Sequence, residues 1–205
     1  MMGRLIVDPA ELIAEHKTAT YKDYYAEQPG SFRNSPAGYG VYHYKVELTS
    51  NYLQLSYWYA PETAEFDYVT TDTQSAGHGG TCTLARIGIF QADTSDIVSK
   101  ALSSLLASTA NDTTLWQNSY TTYKRALTST FSAVKGQRYA LGALFVGGGT
   151  APEIIAAQDD GGIFTRNPIQ SGYDNGGVLT DLPASRTTGQ ITGDNHPGVF
   201  LLSAT

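Results

Sequence analysis

A chain of 205 residues with 16% charged side chains and a single cysteine is long enough to bury a core without disulfides or metals, and Cys82 alone excludes an intrachain disulfide. Its formal net charge of −6, with no basic stripe, argues against a nucleic-acid partner. No run reaches the apolar length of a membrane span, and Met1-Met2-Gly3-Arg4 is not followed by the apolar run of a secretory leader, so neither a membrane nor ordinary secretion is expected.

Plentiful Gly (21) and Tyr (14) suit an all-β protein rich in turns. Residues 1–38 read as an N-terminal anchoring arm, and 39–205 as one β-sandwich domain. In the arm, Leu5, Ile6 and Val7 have the composition of a short strand. Asp8-Pro9-Ala10-Glu11 is a helix start, with Asp8 as N-cap, Pro9 at the first helical position and Glu11 completing the box. Val7 and Leu12 are spaced for a hydrophobic staple, and the helix is expected to end near Lys17. Leu5, Ile6, Val7, Leu12 and Ile13 are the apolar residues with which the arm would grip a partner. The stretch from Gln28 to Gly40, rich in Pro, Gly and Ser, is a linker.

From Tyr39 the pattern becomes that of strands. Tyr39 to Leu48 is the first, with a bulge expected near Lys45, and Ser50-Asn51 turns it. Leu53, Leu55, Tyr57 and Tyr59 alternate with Tyr52, Gln54, Ser56 and Trp58, a second strand with one aliphatic face. Phe66, Tyr68 and Thr70 suggest a third. The loop from Gln74 to Gly80 carries His78. In a fourth strand Thr83, Ala85, Ile87 and Ile89 alternate with Arg86 and Phe90, and Cys82 reads there as a small buried apolar residue. Residues 96–107 fit two patterns: Ile97, Val98, Ala101, Leu102, Leu105 and Leu106 repeat at helical spacing, while Leu105 to Ala110 would pair as a strand before the turn at Asn111-Asp112. A helical turn over 96–102 and a strand from about 104 is the reading that satisfies both. Tyr120 to Leu127 and Phe131 to Val134 give two more strands.

The run from Val134 to Gly148 organises the rest. Lys135-Gly136 is a tight turn. Tyr139, Leu141, Ala143 and Phe145 then alternate with Arg138, Ala140, Gly142, Leu144 and Val146. Because both faces are apolar, this predicts a central strand between two packed layers. Pro152 to Ala156 is a short strand. Residues 158–197 are rich in Gly, Asp, Asn and Thr and lack periodicity, which marks a functional loop or one held by a neighbour. Gly198 to Ser203 returns into the sheet as the last strand.

The motifs of hydrolytic, metal and phosphate sites are missing: there is no Gly-x-Ser-x-Gly, His-Glu-x-x-His, Cys-x-x-Cys or P-loop. His16, His43, His78 and His196 stand apart with no partner at ligand spacing. Asp159-Asp160, Asp174-Asn175 and Asp194-Asn195 lie beside Gly and have the oxygens for Ca²⁺, but read as turn residues; no metal or cofactor is expected. Asn111-Asp112-Thr113 matches a glycosylation sequon and reads as a turn. The aromatic pattern is more informative. Seven of the fourteen Tyr fall between Tyr39 and Tyr68, with Trp58 among them. Tyr52 and Trp58 lie opposite the aliphatic face of their strand and are expected to point outward, as a subunit interface or a platform for sugar rings; a core filled by aromatics is the competing reading. Trp116 reads as core or interface. Tyr52, Trp58 and Trp116 are therefore the candidate glycan-binding or interface residues.

Several segments taken in order resemble a known family. They are Thr83 to Phe90 (TLARIGIF), Leu106 to Leu115 (LASTANDTTL), Tyr123 to Leu127 (YKRAL), Gly136 to Gly142 (GQRYALG) and Thr150-Ala151-Pro152. Together they are similar to the jelly-roll-like β-sandwich domains of tailed-phage virion surface proteins, above all minor tail proteins of phages that infect actinobacteria. The resemblance covers about residues 40–156. It implies an antiparallel two-sheet sandwich, no enzymatic activity, a homotrimer and display on the particle surface. The chain departs from the family in its short upstream segment of about 38 residues, in a longer hairpin at 94–104 and in residues 158–197. The expectation is a non-enzymatic virion structural protein, assembled in the host cytoplasm and held by other virion proteins. Tail association with recognition of a host-surface glycan is the first form of it, and decoration of the capsid shell is the alternative. A carbohydrate-active enzyme with paired carboxylates ranks third.

Overall fold

The computed structural model describes residues 44–60, 62–94, 99–156, 171–174, 176–194 and 200–204. The arm over 1–38, with its helix and Leu5, Ile6, Val7, Leu12 and Ile13, lies outside them, as do His16, His43 and His196. Within them the chain runs β1 (Tyr44–Glu47), β2 (Leu53–Tyr59), β3 (Ala64–Asp72), β4 (Cys82–Ala92), β5 (Leu102–Ser108), β6 (Thr122–Ala133), β7 (Arg138–Gly147), β8 (Glu153–Ala156), β9 (Ser171–Asp174), β10 (Ile191–Asp194) and β11 (Phe200–Ser203). The fold is all-β, with every strand pairing antiparallel. A six-stranded sheet has the order β10-β9-β2-β7-β4-β5, a three-stranded sheet the order β11-β3-β6, and β1 pairs with β8. No helix among the described residues is long and apolar enough to cross a membrane.

β7 is central, as its two apolar faces require: it pairs with β2 on one side and β4 on the other. Tyr139, Leu141, Ala143 and Phe145 enter one buried cluster, and Ala140 and Leu144 enter another. A side chain of the size of Leu or Phe buried in this way contributes about 1.5–3 kcal/mol. Gly142 has a steric reason, since a Cβ there would come within 2.8 Å of Leu53 Cδ1 and Phe90 Cε2. The turn before β7 forms where Lys135-Gly136 predicts it. Gly136 has φ +79°, the left-handed region that glycine tolerates, and its N–H donates to Ala60 O at 2.8 Å.

The first cluster is shared among the sheets. Ala85, Ile87 and Ile89 of β4 pack there with Val69 of β3, Tyr123 and Phe131 of β6, Ile154 of β8 and Phe200 of β11. The second lies on the opposite face of the six-stranded sheet. There Leu53, Leu55, Tyr57 and Phe90 meet Leu102, Leu179 and Ile191, with Leu182 against them. Tyr57 is held in place by donating its hydroxyl to Lys100 O at 2.6 Å. Burial pushes its phenol above the usual range, an effect that the neighbouring Arg138 only partly offsets.

Four expectations need correction. The segments read at 120–127 and 131–134 join in one strand, β6, which runs through the exposed Thr128-Ser129-Thr130; its pairing with β3 shifts register between Phe66 and Tyr68, with the extra residues bulging on the β6 side. Leu102 already belongs to β5, so no helical turn extends to it; residues 95–98 lie outside the described residues. Register shifts beside Phe90 and Ala92 place Leu105 opposite Phe90 and Leu102 opposite Ala92. Two leucines three apart thus serve one cluster, and a bulged strand imitates helical spacing. The stretch 158–197 is not without structure, because it supplies β9 and β10 to the six-stranded sheet. Finally, Cys82 is half-buried against the first cluster, and burial raises its thiol pKa.

Candidate functional site

The site begins at the connection from β1 to β2. Leu48 is fully buried, and the chain then reverses with the Tyr52 N–H donating to Thr49 O at 3.1 Å. Asn51 takes φ +70°, which its short polar side chain tolerates better than most residues. Its N–H donates to Phe145 O at 2.8 Å, its Nδ2 to Leu179 O at 2.7 Å, and Leu179 returns a bond to Asn51 O at 2.9 Å. Ser50 Oγ accepts from the Gly147 N–H at 3.0 Å. The turn is therefore tied to β7 and to the segment after β9, and it positions the start of β2.

Beyond the turn, Tyr52 is 38% exposed and Gln54 is 7% exposed. Gln54 lies opposite Tyr173 of β9, and Tyr173 lies opposite Thr192 of β10. Directly paired residues share a sheet face, so Tyr173, itself 36% exposed, stands on the same face as Gln54. Val46, Glu47, Thr49, Tyr52, Gln54 and Tyr173 line a groove of about 410 Å³, within the size range of small-ligand sites. It offers two phenol rings with apolar bodies and polar tips, together with the Thr49 hydroxyl and the Glu47 carboxylate. This combination can stack the C–H face of a sugar ring and bond its hydroxyls.

The other two candidate residues lie elsewhere. Trp58 packs against the first cluster, with its ring 5.2 Å from that of Tyr139 and edge-on to Phe131 at 6.5 Å. The face expected to point outward is thus open at Tyr52 and packed at Trp58. Trp116 is 0% exposed and belongs to the first cluster, so it is a core residue in this chain and presents no ring to a glycan. The turn at Asp112 sends it inward: the Thr114 N–H and hydroxyl donate to Asp112 Oδ1 at 2.8 and 2.6 Å, and Arg125 Nε donates to Oδ2 at 2.5 Å. Tyr173 escaped notice in the sequence because the stretch around it has no apolar period; only its pairing with Gln54 brings it to the groove.

The remaining candidates have structural roles. Asp174 is fully buried, accepts from Arg186 Nε, and takes the Gly176 N–H at 2.7 Å. Asp159, Asp160, Asn175 and Asn195 lie outside the described residues, among which no group of three or more His, Cys, Asp and Glu is placed to hold a metal ion. Asn111 takes the Ala85 N–H on Oδ1 at 3.0 Å and donates Nδ2 to Thr83 O at 3.2 Å, so its side chain continues the β4 ladder as a turn residue. His78 is buried, with its ring stacked 5.5 Å from that of Phe145. No protein-family model and no curated protein compared with this chain matches it.

Proposed function

We propose that the chain is a non-enzymatic structural protein of a tailed-phage particle. In this reading it is a jelly-roll-like two-sheet sandwich on the particle surface, anchored through residues 1–38, trimeric and tail-associated. Its groove at Tyr52 and Tyr173 reads a glycan on the host surface. The antiparallel all-β fold agrees with what the resemblance implies, and the buried cluster common to the three sheets supports a sandwich. The observation that carries recognition is the pair of exposed tyrosines that line one groove, Tyr173 brought there by its pairing with Gln54 and Tyr52 by a turn whose bonds pre-organise it. A groove formed before the ligand arrives loses less entropy on binding, and three copies would add avidity to weak sugar contacts.

Glycan-array binding tests the reading. Tyr52→Ala and Tyr173→Ala are each expected to weaken binding roughly two- to ten-fold, the scale of one aromatic contact. Trp58→Ala is expected to lower stability through the core instead. Labelled protein should be found on the tails of intact particles. A blank array with label on the shell would favour capsid decoration, and release of cleaved sugar would favour a carbohydrate-active enzyme.

A further inference from the structure

The groove also has a charge. Lys45 and Glu47 stand on the same face of β1, with Glu153 of β8 directly opposite Glu47. Lys45 does not serve Glu47, because its ammonium donates to Glu153 Oε1 at 2.5 Å. The Ser75 hydroxyl donates to the same carboxylate. Glu47 is exposed at the rim and has no ion pair among the described residues. Among the described side chains that line the groove it alone is charged at neutral pH, and none of them carries an ammonium or guanidinium. A phosphate or carboxylate on a ligand would meet a like charge there, with no cation among the described lining residues to receive it. An ammonium would meet a carboxylate whose neighbouring lysine is already engaged.

We propose that the groove selects glycans carrying unacetylated amino sugars, the ammonium pairing with Glu47 while the ring lies against Tyr52 and Tyr173. This inference rests on the glycan-binding reading of the same groove. N-acetylated sugars keep the ring contact and lose the ion pair, whereas uronic-acid and phosphate-bearing glycans are repelled. Net charge alone does not produce this preference, because a general attraction of cations to an acidic protein would not depend on Tyr52.

The test uses the full chain and three probes of equal length: glucosamine oligomers with protonated amines, N-acetylglucosamine oligomers, and uronic-acid oligomers. The intact protein is expected to bind the free-amine oligomer roughly two- to five-fold more tightly than the acetylated one, the scale of an exposed ion pair, and to bind the acidic one least. Glu47→Gln should bring the free-amine to acetylated ratio close to one, and Glu47→Lys should reverse the order of amine and acid. Tyr52→Ala should weaken binding of both amino-sugar probes together. Equal binding of the free and acetylated oligomers by the intact protein, or a preference that survives Glu47→Gln, overturns the charge selection and leaves the glycan reading standing. If none of the three probes nor any array glycan binds, the glycan reading itself falls and takes this inference with it.

Discussion

Asn111 acts as an extra rung of a strand, its amide meeting one N–H and one carbonyl of β4. Removing it leaves the Ala85 N–H without that acceptor in the core. Asn111→Ala is therefore expected to destabilise the fold by about 1–3 kcal/mol in denaturant unfolding, the penalty of a buried donor left unmade. Its neighbour Asp112 controls a pH response. Burial alone would raise the Asp112 carboxyl, but the Thr114 hydroxyl and N–H, and then Arg125, hold it below the ordinary value of 3.8. A carboxyl lowered in the folded state contributes stability that is complete above that ordinary value and is lost as pH falls through the lowered one. Stability followed from pH 5 downward should drop below about pH 4, and Asp112→Asn should be less stable at neutral pH with a shallower acid decline.

Strands with open edges invite further pairing, and β5 shows how this one is closed. Leu102 and Arg186 exchange N–H to carbonyl bonds at 2.8 and 2.9 Å, and the Leu105 N–H donates to Ala184 O at 2.9 Å. The guarding segment is held by the Arg186 guanidinium on the buried Asp174 carboxylate of β9. Arg186→Ala would leave that carboxylate buried and unpaired, with an expected loss of about 3–5 kcal/mol. Hydrogen exchange at Leu102 and Leu105 should accelerate in the same variant. Adding Asp174→Asn should recover part of the stability; a double variant as unstable as the single one would show that the ion pair is not what secures the segment. At this scale β7 was legible because its alternation is local and doubly apolar. β9 was not, since Ser171-Gly172-Tyr173-Asp174 carries no apolar period and becomes a strand by lying between β2 and β10.

For the whole molecule, the proposed function asks residues 1–38 to anchor the chain and the β-rich remainder to be displayed. Deleting residues 1–38 is expected to abolish incorporation into particles while leaving a β-type circular dichroism spectrum. Incorporation of the shortened chain would refute the anchoring role. An acidic molecule of net charge −6 is suited to remaining apart from anionic surfaces until specific contacts form, which suits a displayed protein.

Local chemistry in the sequence determined the all-β class, the turns at Asn51 and Gly136, and the central place of β7, because alternation and glycine tolerance act over a few neighbouring residues. Tertiary structure decided the site. Periodicity puts Tyr52 and Trp58 on one face, yet Tyr139 and Phe131 pack against Trp58 while Tyr52 borders a groove. Tyr173 arrives from more than a hundred positions away through pairing with Gln54. Which end of a strand is covered, and by what, depends on register between distant segments, and register is set by the packing of the whole sheet.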